Sequence, residues 1–200
     1  MINKLVMATN NANKLREARE ILAPLGIEVI GQREAGVSVQ PEENGATFEE
    51  NSKIKAEAIF GAIESSVGEC LPVIADDSGL CVDALDGRPG VISARYAPDG
   101  QECDKLLSEL EGTAAENRTA RFVCGITFLD KNGKSFFVDG VCEGRIGFEK
   151  RGENGFGYDP VFTVGDRTLA EMTADEKNKI SHRGKAMRAL FDLLKERYGD

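Results

Sequence analysis

The chain has 200 residues and a formal net charge of −9, from 25 basic and 34 acidic side chains. This length is typical of one domain, and we expect residues 1–200 to form a single domain. Hydrophobic residues make up 41% and charged residues 30% of the chain, which excludes a disordered or collagen-like protein. No apolar run approaches the roughly 20 residues of a membrane-spanning helix, and the run at residues 5–8 is too short for a signal peptide. We therefore expect a cytoplasmic protein with no membrane partner.

The acidic charge balance argues against a protein that coats nucleic acid, because such binding depends on Lys and Arg. Residues 177–188 differ from the rest, since they hold five basic side chains, the only histidine and no acid. A local basic strip in an acidic protein suits a small anion, and the alternative is a solvated helix face. The five cysteines are odd in number and include no Cys-x-x-Cys pair, so we expect reduced thiols and no zinc site.

In chain order, the first strand is predicted at residues 5–8, followed by a polar turn at 9–14. A helix follows, with apolar residues at three- and four-residue spacing, and it ends near Pro24 and Gly26. Residues 27–30 are predicted to form a second strand. A loop at residues 36–45 then leads to the pattern Thr47-x-x-Glu50, which predicts a capped helix start.

A further short buried strand at residues 72–75 runs into Asp76-Asp77-Ser78-Gly79, and residues 105–111 are predicted to be helical. Two β-rich runs, residues 119–129 and 135–142, are joined by a turn that contains Asn-Gly. This dipeptide predicts a hairpin in which both central residues have positive φ. The final helix starts at Ser181. Alternation of strands and helices followed by a hairpin predicts an α/β fold with a mixed sheet.

Two segments are candidates for phosphate and metal chemistry. Residues 9–14 lie at a helix start, where free N–H groups and the helix dipole favour an anion; the alternative is ordinary capping by asparagine. Asp76 and Asp77 are expected to emerge at the carboxyl edge of the sheet, where open α/β sheets bind ligands. A nearby cation would keep both carboxylates ionised, and Mg²⁺ takes one or two protein carboxylates with phosphate oxygens. Glu42 or Glu43 is a candidate to complete the site, and the alternative is a turn capped by one Asp.

Two other segments are candidates for contacts with a base. In residues 155–160, Phe156 and Tyr158 offer ring faces for stacking, and the alternative is a glycine-rich turn with packed aromatics. Lys177 is followed by Ser181-His182-Arg183-Gly184. An Arg–His pair suits the 6-oxo edge of inosine, xanthosine or guanosine better than the 6-amino edge of adenosine. The alternative is a histidine with a structural role.

These segments together resemble the inosine triphosphate pyrophosphatases, the house-cleaning enzymes also called XTP/dITP diphosphatases. The resemblance extends from about residue 5 to about residue 194 and follows the family's order. The motifs that carry it are Thr9-x-Asn11-x-x-Lys14, Thr47-Phe48-x-Glu50-Asn51, Ala75-Asp76-Asp77-Ser78-Gly79-Leu80, Gly90-Val91-x-Ser93-Ala94-Arg95-Tyr96, Gly155-Phe156-Gly157-Tyr158-Asp159-Pro160 and Ser181-His182-Arg183-Gly184.

The resemblance implies a two-lobed mixed sheet flanked by helices, with the active site in the cleft between the lobes, and a homodimer. It implies Mg²⁺-dependent hydrolysis of non-standard purine nucleoside triphosphates to the monophosphate and pyrophosphate. Asp77 would be the catalytic residue and a metal ligand, and Glu42 the second metal ligand. The substrate contacts implied by position are Thr9, Asn10, Asn11, Ala12, Asn13, Lys14, Ser78, Phe156, Gly157, Tyr158, Asp159, Lys177, His182 and Arg183.

Two other functions remain as alternatives. Asp76-Asp77 could belong to an aspartyl-phosphate phosphatase that releases orthophosphate, although the Asp-x-Asp spacing of that chemistry is absent. A module that binds a nucleotide without cleaving it is the second alternative. The identity of the phosphorus product separates the first alternative from the main hypothesis, and turnover separates the second.

Overall fold

The computed structural model describes residues 2–67 and 70–198 and has the predicted α/β fold. Seven strands form one sheet in the order β2-β1-β3-β4-β5-β6-β7. The strands are β1 (Lys4–Met7), β2 (Glu28–Gly31), β3 (Val73–Val82), β4 (Thr119–Leu129), β5 (Ser135–Ile146), β6 (Phe162–Val164) and β7 (Arg167–Thr168). The α-helices of the described residues are α1 (Ala12–Leu22), α2 (Phe48–Val67), α3 (Glu102–Glu109), α4 (Ala174–Ile180) and α5 (His182–Tyr198).

The sheet is mixed, as predicted. β1 pairs in parallel with β2 and with β3, whereas β6 pairs antiparallel with β5 and β7. The chain forms two compact units, Met1–Asp77 with Cys124–Gly140 and Lys185–Asp200, and Ser78–Val123 with Val141–Gly184. These units agree with the prediction of two lobes. β3, β4, β5 and α5 each contribute residues to both units, and the single domain of residues 1–200 stays a prediction.

In the first unit, β1 is apolar at consecutive positions because both of its faces are covered. Leu5 and Met7 pack with residues of α1 and α5, and Val6 packs on the other face with residues of α2. The partners on the first face include Ala18, Leu22, Met187 and Leu190. Those on the second face include Ala56, Ile59 and Ile63. Ala18 and Leu22 of α1 and Met187 and Leu190 of α5 are therefore core positions.

The core of the second unit is formed by the later part of β3, the early part of β4 and the last strands. Its buried residues include Leu80, Val82, Leu106, Leu110, Phe122, Tyr158, Phe162 and Leu169. Phe122 and Phe162 are in ring contact at 4.6 Å between centroids. All five cysteines are free, and Cys103, Cys124 and Cys142 are buried, as expected for reduced thiols.

Several local predictions are confirmed, including the start of α2. There the Glu50 N–H donates to Thr47 Oγ1 at 3.1 Å, and the Thr47 N–H donates to Glu50 Oε2 at 3.2 Å. The hairpin between β4 and β5 is also present, but its predicted turn geometry is wrong. Gly133 alone of the Asn-Gly pair has positive φ, at +77°, because the Gly133 N–H closes the turn onto Asp130 O at 2.9 Å. The predicted connection through residues 131–134 is present, and only the positive φ predicted for Asn132 is wrong.

Candidate functional site

Asp76 and Asp77 lie inside β3 rather than after its end, which corrects the predicted turn or strand end. Met7, the last residue of β1, pairs with Ile74, so β3 continues past its parallel neighbour. The two carboxylates therefore still lie beyond the carboxyl end of β1. Successive side chains of a strand point to opposite faces, and Asp76 and Asp77 contact different helices as a result.

Asp76 faces α1. The Lys14 ammonium is 3.1 Å from Asp76 Oδ2, and the carboxylate is almost completely buried. Lys14 is held at this position by the start of its helix, where Asn11 is the N-cap. Asn11 Oδ1 accepts from the Asn13 N–H at 2.9 Å and from the Lys14 N–H at 3.2 Å. Asparagine capping, the alternative to a phosphate cradle, is therefore what the structure shows for these two N–H groups.

Asp77 faces α2. The Lys55 ammonium is 3.3 Å from Asp77 Oδ1 and 2.7 Å from Glu43 Oε2, so one ammonium holds both carboxylates. The Asn51 side-chain amide donates to Asp77 Oδ2 at 3.2 Å. We call Lys14, Glu43, Asn51, Lys55, Asp76 and Asp77 the carboxylate–lysine cluster.

Burial and charge act in opposite directions on this cluster. Burial raises the pKa of Asp77, and the ammonium groups of Lys55 and Lys14 only partly offset that rise. Burial alone would lower the pKa of Lys55, but Asp77, Asp76 and Glu43 together raise it. The lysine is therefore charged at neutral pH and lies where a cation is electrostatically favoured.

The donor set fits a hard cation. Asp77 and Glu43 provide carboxylate oxygens around one positive group, and Mg²⁺ prefers oxygen ligands. Within the described ranges, 2–67 and 70–198, no three Asp, Glu, His or Cys side chains form a metal site by themselves. Glu42, the predicted second ligand, is exposed, and its neighbour Glu43 makes the contact with Lys55.

A second group of side chains surrounds the 155–159 loop. Asp159 Oδ2 accepts from the Phe156 N–H at 2.8 Å and from the Lys177 ammonium at 2.8 Å. The same ammonium lies 4.8 Å from the centroid of the Phe156 ring. Asp159 and Lys177 are both buried, so this ion pair fixes the loop and presents the partly exposed Phe156 ring.

His182 and Arg183 are consecutive residues in the first turn of α5, and Arg183 contacts the same group. The Arg183 guanidinium carbon is 5.8 Å from the Phe156 centroid, and its Nη2 donates to Ser78 Oγ at 3.4 Å. The His182 ring stacks on Phe122 with centroids 4.7 Å apart. We call Ser78, Phe156, Asp159, Lys177, His182 and Arg183 the aromatic–arginine cluster. The four segments that sequence reasoning singled out thus form two clusters.

Tyr158 differs from the prediction that both aromatic rings offer a face to a base. It is 5% exposed and packs in the core. Its hydroxyl donates to Ser93 O at 3.0 Å. The stacking surface predicted for Tyr158 is therefore wrong, because the ring is used for packing, and Phe156 is the partly exposed aromatic residue of this loop.

Sequence reasoning gave no role to two residues of the carboxylate–lysine cluster, Lys55 and Asn51, although Asn51 stands in one of the motifs. A signal for both was present. Asn51 and Lys55 are four residues apart, and helical residues at that spacing lie on one face. The capped helix start at Thr47 places both on the first turns of α2, beside a strand that carries two carboxylates.

The loop around Asp159 leads to a stability prediction. Gly155 has φ +78°, and a Cβ atom there would lie 2.0 Å from Asp159 Oδ2. We expect Gly155→Ala to lower the free energy of unfolding by about 1–3 kcal/mol, since it combines backbone strain with displacement of a buried ion pair. Urea denaturation measures this. Gly165→Ala is the matched control, because φ is +62° and the added Cβ meets nothing within 4 Å. An equal fall in the free energy of unfolding for the two variants would contradict the steric effect expected at Gly155.

Glu176 in the first turn of α4 leads to a prediction on acid stability. The Thr173 N–H, Arg167 and the Thr173 hydroxyl lower the pKa of Glu176 to about 2. A carboxylate with a lowered pKa stabilises the fold above its unfolded pKa, and this contribution is lost as the pH falls through the folded value. We expect the Tm difference between the wild type and Glu176→Ala to be largest at neutral pH and to shrink between pH 4.5 and about 2. Asp175→Ala is the control, and a pH-independent Tm difference for Glu176→Ala would contradict the account.

Comparison with known proteins identifies the family of this chain. The model of the Ham1 family matches residues 5–193. The chain is 48% identical to a dITP/XTP pyrophosphatase of Bacillus subtilis over 97% of this chain and 98% of that protein. It is 44% identical to the dITP/XTP pyrophosphatase of Clostridium perfringens, with the same coverage of 97% and 98%. The chain therefore belongs to the Ham1 family, and the resemblance stated from its motifs is confirmed.

Solved structures show the same fold. The Ham1 protein of Staphylococcus aureus superposes with a TM-score of 0.82 at 39% identity, covering 96% of this chain and 98% of that one. A HAM1 protein from Coxiella burnetii superposes with a TM-score of 0.83 at 42% identity, covering 98% and 100%. In the parts of the chain that the structure describes, no helix is long and apolar enough to span a bilayer.

Proposed function

We propose that this protein hydrolyses non-standard purine nucleoside triphosphates, such as ITP, dITP and XTP, to the monophosphate and pyrophosphate. The observation that carries the proposal is that two consecutive residues of β3 belong to the two different clusters. Asp77 belongs to the carboxylate–lysine cluster, and the next residue, Ser78, belongs to the aromatic–arginine cluster. Consecutive residues thus connect groups suited to phosphate with groups suited to a purine base. The names of the relatives support this choice of substrate.

The carboxylate–lysine cluster is proposed to bind the triphosphate. Lys14 and Lys55 provide positive charge, and the start of α1 adds the segment Thr9, Asn10, Asn11, Ala12 and Asn13. Asp77 positions or activates the water that attacks phosphorus. Its carboxylate is buried and contacted by Lys55 and Asn51, so it has a fixed position from which to orient that water. The protein contributes mainly placement and neutralisation of charge.

Mg²⁺ is proposed as the cofactor. Asp77 and Glu43 would hold it, and Glu42, which the resemblance suggests, remains a prediction for the same role. When bound, the ion supplies charge neutralisation on the phosphate oxygens. Lys55 lies between the same two carboxylates, so its ammonium offsets their mutual repulsion until the phosphates arrive. Chelation by EDTA is expected to abolish turnover and leave the far-ultraviolet circular dichroism unchanged.

The aromatic–arginine cluster is proposed to bind the base. The Phe156 ring provides the stacking face, and Gly157 and Tyr158 belong to the loop that holds it. Arg183 and His182 donate to the 6-oxo edge. Lys177 and Asp159 position this loop through their buried ion pair. An adenine amino group would face these donors and leave them unpaired, which disfavours ATP.

Product analysis tests this proposal. The purified protein is incubated with ITP and Mg²⁺, and the products are followed by phosphorus NMR. We expect equal amounts of IMP and pyrophosphate. Orthophosphate with IDP would favour the aspartyl-phosphate alternative, and saturable binding without turnover would favour the nucleotide-binding module. The opposite orientations of Asp76 and Asp77, each paired with its own lysine, support the first outcome.

A homodimer, a cytoplasmic location and the absence of nucleic-acid binding also remain predictions for this chain. Light scattering of the purified protein measures the first, with twice the 21.7 kDa chain mass as the expected value. A monomer at micromolar concentration would contradict it.

A further inference from the structure

Asn51 belongs to a motif that the proposed function leaves unexplained. It lies in the first turn of α2 and is 0% exposed. A fully buried amide requires hydrogen-bond partners, because an unpaired one costs about 1–3 kcal/mol. Its neighbour Ser52 is equally buried, but Ser52 Oγ contacts Thr127 Oγ1 at 2.8 Å, away from the carboxylates.

The Asn51 amide joins two parts of the carboxylate–lysine cluster. Its nitrogen donates to Asp77 Oδ2 at 3.2 Å, and its oxygen accepts from the Gly45 N–H at 2.8 Å. Only this orientation of the amide satisfies both partners, since a carboxylate must accept and a backbone N–H must donate. Asn is therefore the residue that both contacts require, and neither Asp nor Leu can make both.

The loop before α2 packs closely on this amide. A Cβ atom on Gly45 would lie 2.6 Å from Glu50 Cβ and 2.9 Å from Asn51 Oδ1. The Gly45 backbone is therefore too close to the Asn51 side chain for any residue with a Cβ atom. Glu43 precedes Gly45 by two residues and reaches Lys55, which also contacts Asp77. The separation between the Glu43 and Asp77 carboxylates thus depends on where Asn51 holds the loop.

We propose that Asn51 is a positioning residue that holds the Asp77 carboxylate and the Glu43 loop in their working arrangement. This inference rests on the proposed function of Asp77. Asn51 contacts neither substrate nor reacting atoms in this account, and it acts through Asp77 on one side and through Gly45 on the other. Residues that orient the groups around a metal or nucleophile typically change activity by about 10–100-fold when replaced.

Two variants separate the two contacts. Asn51→Leu has similar size and removes both hydrogen bonds. Asn51→Asp keeps an acceptor for the Gly45 N–H but places a carboxylate against Asp77. We expect kcat for ITP to fall about 10–100-fold in both, with KM changing less than kcat. Ser52→Ala, the control on the adjacent buried position, is expected to keep the wild-type kcat.

Amide hydrogen exchange gives a readout that does not depend on activity. We expect the Gly45 N–H to exchange faster in Asn51→Leu than in the wild type, and to remain protected in Asn51→Asp. In an Asp77→Asn background, we expect Asn51→Leu to lower kcat by a smaller factor than it does in the wild type, because the two residues act through one contact. An equal fall in kcat in both backgrounds would overturn the proposal.

A role for Asn51 in stability alone would give a different pattern. Asn51→Leu would then lower Tm but keep the wild-type kcat at temperatures where it is folded, and this result would overturn the proposal. Failure of the positioning role of Asn51 is distinguishable from failure of the proposed function. Normal turnover by Asn51→Leu beside an inactive Asp77→Asn contradicts only the positioning role, whereas normal turnover by Asp77→Asn contradicts the function assigned to Asp77 and the inference with it.

Discussion

Replacing Asp77 with Asn is expected to lower kcat for ITP by about 10²–10⁴-fold while the protein stays folded. The amide has the size of the carboxylate but neither its charge nor its basicity, so it serves poorly as a metal ligand or a proton acceptor. Lys55 keeps its 2.7 Å contact with Glu43, which leaves the buried ammonium paired in the variant. A pyrophosphate-release assay measures kcat, and thermal unfolding checks the fold.

Asp139→Asn is the matched control, because Asp139 is exposed on β5. It removes the same charge without touching the carboxylate–lysine cluster, and its kcat should equal that of the wild type. Turnover of ITP by Asp77→Asn within a few-fold of the wild type would refute the role given to this residue.

Base selectivity is the second large effect. We expect kcat/KM of the wild type for ITP to exceed that for ATP by about 10²–10⁴-fold, since an unpaired donor at a buried site penalises the wrong base strongly. Arg183→Met removes the guanidinium and retains part of its apolar length. The ratio of ITP to ATP efficiency should then fall by about tenfold or more, mainly through the loss of ITP turnover.

Arg188→Met is the control for this effect. Arg188 lies in the same helix and the same basic strip, but its side chain is exposed, whereas Arg183 is buried and faces Phe156. We expect the ratio of ITP to ATP efficiency in Arg188→Met to match that of the wild type. Equal efficiencies of the wild type for ITP and ATP, or an unchanged ratio in Arg183→Met, would remove the proposed contact with the 6-oxo edge.

Most of the elements were predictable because each carries a local signal. The apolar residues of β1 and the spacing in α1 identify a covered strand and an amphipathic helix. The pattern Thr47-x-x-Glu50 marks the start of α2. The same Thr-x-x-Glu pattern recurs at Thr173 and starts α4, which was not predicted although the signal was available.

The central part of β3 could not be predicted locally. Asp76, Asp77 and Ser78 are polar residues inside a buried strand, and sequence patterns associate such residues with turns. The burial of Asp76 and Asp77 depends on partners distant in the chain, because Lys14 lies in α1 and Lys55 lies in α2. Only the folded chain shows that the adjacent carboxylates separate onto two faces and that each meets its own lysine.

The candidate site was predictable in its residue types and less so in its detailed roles. Lys177, His182 and Arg183 were singled out from the basic strip. The structure places Lys177 and Arg183 beside Phe156, whereas His182 stacks on Phe122. Tyr158 could not be distinguished from Phe156 by sequence, because both are aromatic residues next to glycine. Burial of the tyrosine in the core separates them.

In the proposed function, one nucleotide contacts both the carboxylate–lysine cluster and the aromatic–arginine cluster. Titration of the Asp77→Asn variant with ITP, followed by amide chemical shifts, is the direct test of this proposal. We expect the signals from Lys14 and Phe156 to shift together, with one dissociation constant and one equivalent of ITP, and tripolyphosphate to shift only the Lys14 signal. Two different dissociation constants, or shifts confined to one cluster, would contradict it.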